Sequence, residues 1–189
     1  MVMQYSIRKH KAFEVAALVH KGQNRKNPYG VPFVSHCYAV HYLVSLYTND
    51  EDTLIAALLH DAIEDNLEIG VSAVKEFGET VYSYVKYVSE PKYDEKWNKI
   101  KWRNRKSIYA SQLKYAPEQA KMISAGDKIH NINSLLIAHS EGIKIWEMMT
   151  TNSKDQIDRY NELVESLSYD WEHPLLERFK FDLELLSKI

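Results

Sequence analysis

The sequence predicts an all-α protein, a helical bundle of about eight to ten helices with no significant sheet. Its 189 residues include only 6 glycines and 5 prolines, and so few helix breakers leave room for long uninterrupted elements. Apolar residues recur at the spacing of helix faces, and no segment shows the strict alternation of a half-buried strand. The length and a hydrophobic content of 45% fit one core, and no linker is visible, so we expect residues 1–189 to form a single domain.

Helix boundaries follow from the apolar stripes and from the residues that cap or break helices. The first helix is expected to end by Gly22, and Asn49 or Asp50 can cap the third. Pro117 suits the first position of a later helix. In chain order we expect helices over residues 7–19, around 40–47, from 51 to about 63, over 71–88 with a break at Gly78, over about 97–115, from 117 to about 138, and in two or three further segments, one of which starts after Pro174.

The charge balance excludes several classes of function. A formal net charge of -2 gives no electrostatic footprint for duplex DNA or for an anionic membrane. The one cysteine, Cys37, excludes an internal disulfide and a cysteine-only zinc site. No targeting signal is recognisable, and no run approaches the roughly 18 apolar residues of a membrane span. We therefore expect a soluble, cytoplasmic protein that has no DNA or membrane partner, and its oligomeric state stays open.

An acidic group follows the apolar run at residues 54–59. His60 and Asp61 end the run, and Glu64 and Asp65 come four residues later, so one helix surface carries an imidazole and three carboxylates. On a buried helix these like charges would raise the carboxylate pKa values and destabilise the helix, and a divalent metal resolves the conflict. In the alternative reading, which this segment leaves open, the helix ends here and the acids are solvated.

A second polar group lies on a helix that its apolar residues place in the core. Asp127 is three residues before His130 and four before Asn131, so the three share one face. Polar side chains on a buried helix need partners from elsewhere in the fold. In the alternative, Asp127 and Lys128 form a solvent-facing pair.

A third group is the glycine- and proline-rich loop over residues 22–36, in which Arg25 and Lys26 come first and His36 comes last. Arginine can stack on a base or fork onto phosphate, and lysine neutralises phosphate charge. Taken singly, such a basic pair is more often a solvated turn. His20 precedes the loop by two residues and can support it.

Together the three groups resemble the HD phosphohydrolase superfamily and, more closely, the hydrolase domain of the RelA/SpoT alarmone enzymes. A joint match in the family's order is far more specific than any single motif. The motif core covers about residues 12–137, and we expect the helices of residues 138–189 to pack on it. The matching segments are His20-Lys-Gly-Gln23, Arg25-Lys26, Pro32-Phe33-Val-Ser-His36, Leu58-Leu59-His60-Asp61-Ala-Ile-Glu64-Asp65 and Asp127-Lys-Ile-His130-Asn131.

The spacer and three departures refine the resemblance. The spacer between Lys26 and Pro32 resembles that of the small stand-alone hydrolases rather than the long bifunctional members. None of the departures removes a metal or catalytic position, so they bear on substrate preference. They are Cys37 where proline is common, Asn66 where threonine is common and Gly126 where alanine is common.

The resemblance implies a manganese-dependent phosphohydrolase with one divalent metal per chain. Glu64 and Asp65 would be the catalytic residues, which orient or deprotonate the attacking water or protonate a leaving oxygen; the resemblance does not divide these roles between them. Arg25 would contact the base, Lys26 a phosphate, and Asn131 the ribose or the network beside the metal. The implied metal ligands are His36, His60, Asp61 and Asp127, and weaker candidates for binding the diphosphate are Arg105 and Lys106.

The implied activity is hydrolysis of the 3′-diphosphate of guanosine 3′,5′-bis(diphosphate), ppGpp or its triphosphate form, to GDP or GTP and pyrophosphate. One alternative is another HD phosphohydrolase that acts on a different nucleotide or on a ribose phosphate of a dinucleotide cofactor. The other is a non-enzymatic nucleotide sensor that keeps the metal. The Glu64-Asp65 pair argues against a sensor, because a sensor has no need to activate water.

Overall fold

The computed structural model describes residues 5–25, 30–148 and 152–189. Within these ranges the chain forms the helices α1 (Ile7–Val19), α2 (Val34–Ser45), α3 (Glu51–Leu59), α4 (Ala62–Asp65), α5 (Leu67–Lys75), α6 (Glu79–Val88), α7 (Trp102–Lys114), α8 (Glu118–Ser140), α9 (Ile145–Met148), α10 (Ser153–Leu167) and α11 (Pro174–Leu186). Two of them, α4 and α9, have only 4 residues. The described ranges contain two isolated β-bridges and no strand, so the predicted all-α bundle is confirmed.

Side-chain caps fix where several helices begin. The carboxylate of Asp50 accepts the backbone N–H of Thr53 at 2.8 Å and caps α3, as the sequence predicts. Asn66 caps α5 in the same way through the N–H of Ile69. The departure from the family pattern at Asn66 therefore has a local structural role.

Helix α7 begins five residues later than the sequence suggests. The side chain of Asp94 accepts the backbone N–H groups of Lys96 at 2.9 Å and of Asn98 at 2.8 Å, which closes a turn. Trp97 inside this turn has a φ of 59°, a left-handed conformation that a helix cannot contain. The turn therefore prevents a helix from starting at residue 97, and α7 begins only at Trp102.

The predicted third helix is divided into α3 and α4. Helix α3 ends at Leu59, and His60 and Asp61 form a turn before α4. The N–H of Asp65 still bonds the carbonyl of Asp61 at 2.9 Å, so the one-turn spacing between the two acids survives the break. The break itself places His60 and Asp61 at the end of a buried helix rather than along its side.

Helix α3 forms the centre of the bundle, since every residue from Thr53 to Leu59 is buried. It contacts α1, α2, α6 and α8, and the long helix α8 also contacts α2, α6 and α11. Helix α10 contacts α7 and α11, so the C-terminal helices lie against the part of the chain that carries the motifs. The single-domain organisation stays a prediction. No helix in the described part of the chain has both the length and the apolarity needed to cross a membrane.

Candidate active site

Four of the predicted site residues meet at one point of the interior. His36 lies in the first turn of α2, Asp127 in the middle of α8, and His60 and Asp61 in the turn between α3 and α4. The Nε2 atoms of His36 and His60 are 3.2 Å apart. Oδ2 of Asp61 lies 3.0 Å from Nε2 of His60 and 3.5 Å from Nε2 of His36. Oδ1 of Asp127 lies 3.2 Å from Nε2 of His36.

These four distances fit the ligands of one divalent cation. Ligand atoms bound at right angles, about 2.1–2.2 Å from a metal, lie about 3.0–3.1 Å from each other. Among the described residues, the donor atoms of His36, His60 and Asp127 form a group in which all lie within 4.8 Å of one another, and Asp61 is not part of this group. The Asp61 carboxylate approaches the site through its contacts with the two histidines. Mixed imidazole and carboxylate donors suit manganese, iron or zinc better than calcium. The residues present therefore fit the metal that the resemblance implies.

The ring of His60 is oriented for such a role. Its Nδ1 lies 2.9 Å from the carbonyl oxygen of Ala57, and this contact requires a proton on Nδ1. In the neutral ring the lone pair on Nε2 then points at His36 and Asp61. Lone pairs and carboxylate oxygens that face one another need a proton or a cation between them.

The polar groups of the site are buried together, and their charges shift one another's pKa values. Burial would lower the pKa of His60, but the Asp61 carboxylate raises that pKa to about 9. Burial would raise the carboxyl pKa of Asp127, but Lys128 and the histidines hold that pKa well below its usual range. Asp127 is only 7% exposed, so the alternative of a solvent-facing Asp127-Lys128 pair is wrong.

His130 is a neighbour of the site to which the sequence assigned no role. Its Nδ1 lies 2.8 Å from Nδ1 of His36, so one ring donates a hydrogen bond to the other. Burial, together with the nearby His36 and Arg25, lowers the pKa of His130 to about 4. A neutral His130 can accept a hydrogen bond from the Nδ1–H group of His36, which leaves the His36 Nε2 lone pair on the metal side.

The two acids after the HD dipeptide have different surroundings. Oε2 of Glu64 accepts the backbone N–H of Glu90 at 3.2 Å, and burial, with the Glu90 and Asp61 carboxylates nearby, raises the pKa of Glu64 to about 7. Oδ2 of Asp65 instead accepts a hydrogen bond from Nε2 of Gln23 at 2.7 Å.

The helix that carries the two acids, α4, packs closely against α5. Gly70 allows this approach, because a Cβ there would lie 2.1 Å from the carbonyl oxygen of Ala62.

A cavity of about 550 Å³ opens beside these groups, a size suited to a small-molecule ligand. Arg25 lines it, donates to Oδ1 of Asn131 at 3.0 Å, and lies with its guanidinium carbon 5.9 Å from the centre of the Phe33 ring. Asn131 in turn donates to Asp127. Arg25, which is predicted to contact the base, is therefore linked through Asn131 to a candidate metal ligand. Lys26 lies outside the described residues.

The cavity also has a wall that the sequence did not predict. Helix α10 contributes Arg159 and Tyr160, and the guanidinium of Arg159 lies 4.3 Å from the centre of the Trp102 ring. The amphipathic pattern of α10 identifies its buried face, but no chemical motif marks that face as part of a site. Of the two weaker candidates, Lys106 lines the cavity and pairs with Glu90, while Arg105 is absent from the lining.

Comparisons with known proteins place these features in a family. A family model described as HD domain matches residues 12–151. Two curated relatives are named for alarmone chemistry. Guanosine-3′,5′-bis(diphosphate) 3′-pyrophosphohydrolase MESH1 of Drosophila melanogaster is 32% identical over 129 residues, which cover 67% of this chain and 69% of that protein. The bifunctional (p)ppGpp synthase/hydrolase SpoT of Escherichia coli K12 is 31% identical over 134 residues, 68% of this chain and 18% of that protein.

A solved structure shares the fold. It is described as a metazoan ortholog of SpoT that hydrolyzes ppGpp, and it superposes over 100% of both chains with a TM-score of 0.82 at 22% identity. The order of the helices, the buried histidine and aspartate group and the match of the family model over residues 12–151 lead to one conclusion. The chain belongs to the HD domain family.

Proposed function

We propose that the protein is a metal-dependent hydrolase that removes the 3′-diphosphate of ppGpp or of its triphosphate form as pyrophosphate and leaves GDP or GTP. The observation that carries the proposal is the convergence of His36, His60, Asp61 and Asp127 beside a cavity of about 550 Å³ that Glu64 and Asp65 also line. The names of the MESH1 and SpoT relatives supply the substrate class.

The metal is manganese in this proposal, held by His36, His60, Asp61 and Asp127. The donor set supports a transition metal without selecting one, and the family resemblance selects manganese. When bound, such an ion polarises a phosphoryl oxygen and lowers the pKa of a water molecule. His60 would bind the metal through Nε2, because its Nδ1 carries the proton donated to the Ala57 carbonyl. The ring must be neutral for this, since a protonated Nε2 has no lone pair to give.

Glu64 and Asp65 then act on the attacking water and on the leaving oxygen. In the hydrolysis a water oxygen bonds to the 3′ α-phosphorus, the bond from that phosphorus to O3′ breaks, and O3′ takes up a proton. Glu64, whose pKa of about 7 lies near neutrality, can both accept and return a proton. Asp65, which is held by Gln23, fixes the direction from which water approaches.

The substrate is held by cavity cations that have no carboxylate partner among the described contacts. Lys106 pairs with Glu90 and Lys128 with Asp127, so their charges are already balanced. Arg25 instead bonds Asn131 and Ser134, which are neutral and leave its positive charge available. We therefore assign Arg25 and Asn131, with Lys26 of the same loop, to the nucleoside end.

Arg159 is the second such cation. It donates to the neutral side chain of Gln156, and its buried Nε has no hydrogen-bond partner in the described structure. We assign it to a phosphate of the substrate, because a guanidinium binds phosphate oxygens through two parallel hydrogen bonds. A freely diffusing nucleotide of this kind also agrees with action in the cytoplasm, which we propose as the compartment.

The test is product analysis with metal-stripped protein and added manganese. The nucleotides are ppGpp, its triphosphate form, nucleoside triphosphates and a dinucleotide that carries a ribose phosphate. We expect equal amounts of pyrophosphate and GDP from ppGpp, and none without a divalent metal. Orthophosphate release, a preference for another nucleotide, or binding of ppGpp without turnover would each overturn the proposal in favour of a different phosphohydrolase or a sensor.

A further inference from the structure

A buried histidine beside the site lies close to the catalytic candidate Asp65, with its Nδ1 3.9 Å from Oδ2 of that carboxylate, and is joined to it by hydrogen bonds through one intermediate side chain. His20, at the end of α1, is only 3% exposed and packs against Phe33 with 4.8 Å between ring centres. Its Nδ1 lies 2.8 Å from Oε1 of Gln23, and Nε2 of Gln23 donates to Oδ2 of Asp65 at 2.7 Å. Neither His20 nor Gln23 has a part in the function proposed above beyond this contact.

The hydrogen bonds of this row fix every donor and acceptor in it. An ionised carboxylate only accepts, so the Gln23 amide must turn its NH₂ group to Asp65 and its oxygen to His20. That oxygen accepts only, so Nδ1 of His20 must carry a proton and donate it. The far nitrogen, Nε2, is buried and has no partner among the described residues.

The contact at Asp65 explains why the row does not reverse. With the Gln23 amide turned over, its oxygen would face the Asp65 carboxylate oxygen, and neither atom can donate. Nε2 of His20 has no partner among the described residues in either arrangement, so it does not decide between them. The hydrogen bond from Nδ1 of His20 holds the amide on its other side, and the amide so held bonds the Asp65 carboxylate from one direction.

We propose that His20 and Gln23 are positioning residues, which hold the Asp65 carboxylate in one orientation for its work on the attacking water. The inference deepens the proposed function and rests on it. Asp65 side-chain atoms are partly exposed, with 26% of their surface accessible. Without the amide the carboxylate would rotate, and a misplaced group of this kind lowers the turnover rate rather than the affinity for substrate.

The test compares two replacements of His20 that differ in one donor. The amide nitrogen of His20→Asn stands close to the place of Nδ1 and can still donate to Gln23, whereas His20→Leu fills similar space without a donor. We expect kcat on ppGpp to fall about 10- to 100-fold for His20→Leu with little change in KM, and to be largely rescued in His20→Asn. His10→Leu, an exposed histidine on the same helix, is the matched control and should leave both constants unchanged.

A second variant covers the case in which His20→Leu does not fold. Gln23 is only half buried, so Gln23→Met should fold and should show the same loss of kcat. Equal losses for His20→Asn and His20→Leu, or a normal kcat for Gln23→Met, would overturn the inference.

Nitrogen-15 NMR of the imidazole rings gives a readout that does not depend on turnover. We expect His20 of the unaltered protein to be protonated on Nδ1, and protonation on Nε2 would contradict the row of hydrogen bonds. If the unaltered protein does not hydrolyse ppGpp, the proposed function fails, while the NMR result still decides the hydrogen-bond row by itself.

Discussion

His60 and Glu64 are four residues apart, yet we expect their replacements to impair the protein in different ways. The His60 ring lies in the group that fits a metal, whereas Glu64 bonds the Glu90 backbone at the cavity wall. Glu64→Gln keeps the shape of the side chain and removes its proton chemistry. We expect this variant to bind manganese normally while kcat falls by about two to four orders of magnitude.

His60→Ala should instead lose manganese and activity together. Metal content by elemental analysis, measured beside kcat for both variants, separates the two effects. Near-normal turnover in Glu64→Gln, with metal bound, would contradict the assigned role of this carboxylate, and the same holds for Asp65→Asn.

The raised pKa of His60 predicts how manganese binding depends on pH. The metal-free protein holds a proton on His60 up to pH about 9, and only the neutral ring can bind a metal. Manganese must displace that proton, so the apparent affinity should rise about tenfold per pH unit between about pH 7 and 9 and then level off. Calorimetric titrations in two buffers with different ionisation enthalpies measure the proton release. A pH-independent affinity over this range would contradict the account.

The raised pKa of His60 also makes the stability of the metal-free protein depend on pH. The folded-state pKa of His60 lies above its ordinary value of 6.5, so the stabilisation from its protonated form is full below about pH 6.5. It is lost as the pH rises through about 9. Added manganese should reverse this loss, because it takes the place of the proton.

At the scale of secondary-structure elements, α10 supplies a part of the cavity that lies outside the motif core. Arg159→Ala removes the guanidinium that stacks on Trp102 and has no carboxylate partner among the described residues. We expect KM for ppGpp to rise about tenfold or more with a smaller change in kcat, because a charge-assisted hydrogen bond contributes about 1.5–3 kcal/mol.

The control for this prediction is Arg103→Ala. Arg103 is exposed and lines a smaller neighbouring cavity of about 240 Å³ rather than the main one. The KM of the Arg103→Ala variant for ppGpp should stay unchanged. An equal rise of KM in both variants would mean that general electrostatic attraction, not the position of Arg159, governs substrate binding.

Some helix boundaries and site positions can be predicted from neighbouring residues in the sequence, and others cannot. Asp50 and Pro174 mark helix starts through contacts within a few residues, and the structure has them there. The motif residues were identifiable because they are grouped in short segments. The late start of α7 depends on a turn that Asp94 closes, and the place of Arg159 depends on how α10 packs on α7, so neither follows from periodicity.

At the scale of the whole molecule, the C-terminal helices are predicted to fold as one unit with the motif core. Phe179 of α11 is fully buried and contacts Tyr160 of the cavity wall edge to face, while Phe181 of the same helix is 56% exposed. Phe179→Ala should lower the free energy of unfolding by about 3–5 kcal/mol. Phe181→Ala should change it by no more than about 0.5 kcal/mol.

Denaturant unfolding followed by tryptophan fluorescence and by helical circular dichroism checks this prediction. Both probes should report one transition, and Phe179→Ala should shift both equally. Two separate transitions, of which only one shifts, would mean that residues 138–189 form a unit of their own.

The central claim is that side chains from α2, the α3–α4 turn and α8 hold one catalytic metal. Anomalous diffraction at the manganese edge, from crystals grown with manganese, tests it most directly. The account predicts one anomalous peak per chain, about 2.0–2.4 Å from Nε2 of His36 and His60 and from carboxylate oxygens of Asp61 and Asp127. A peak elsewhere, or no peak under conditions in which the protein hydrolyses ppGpp, would contradict it.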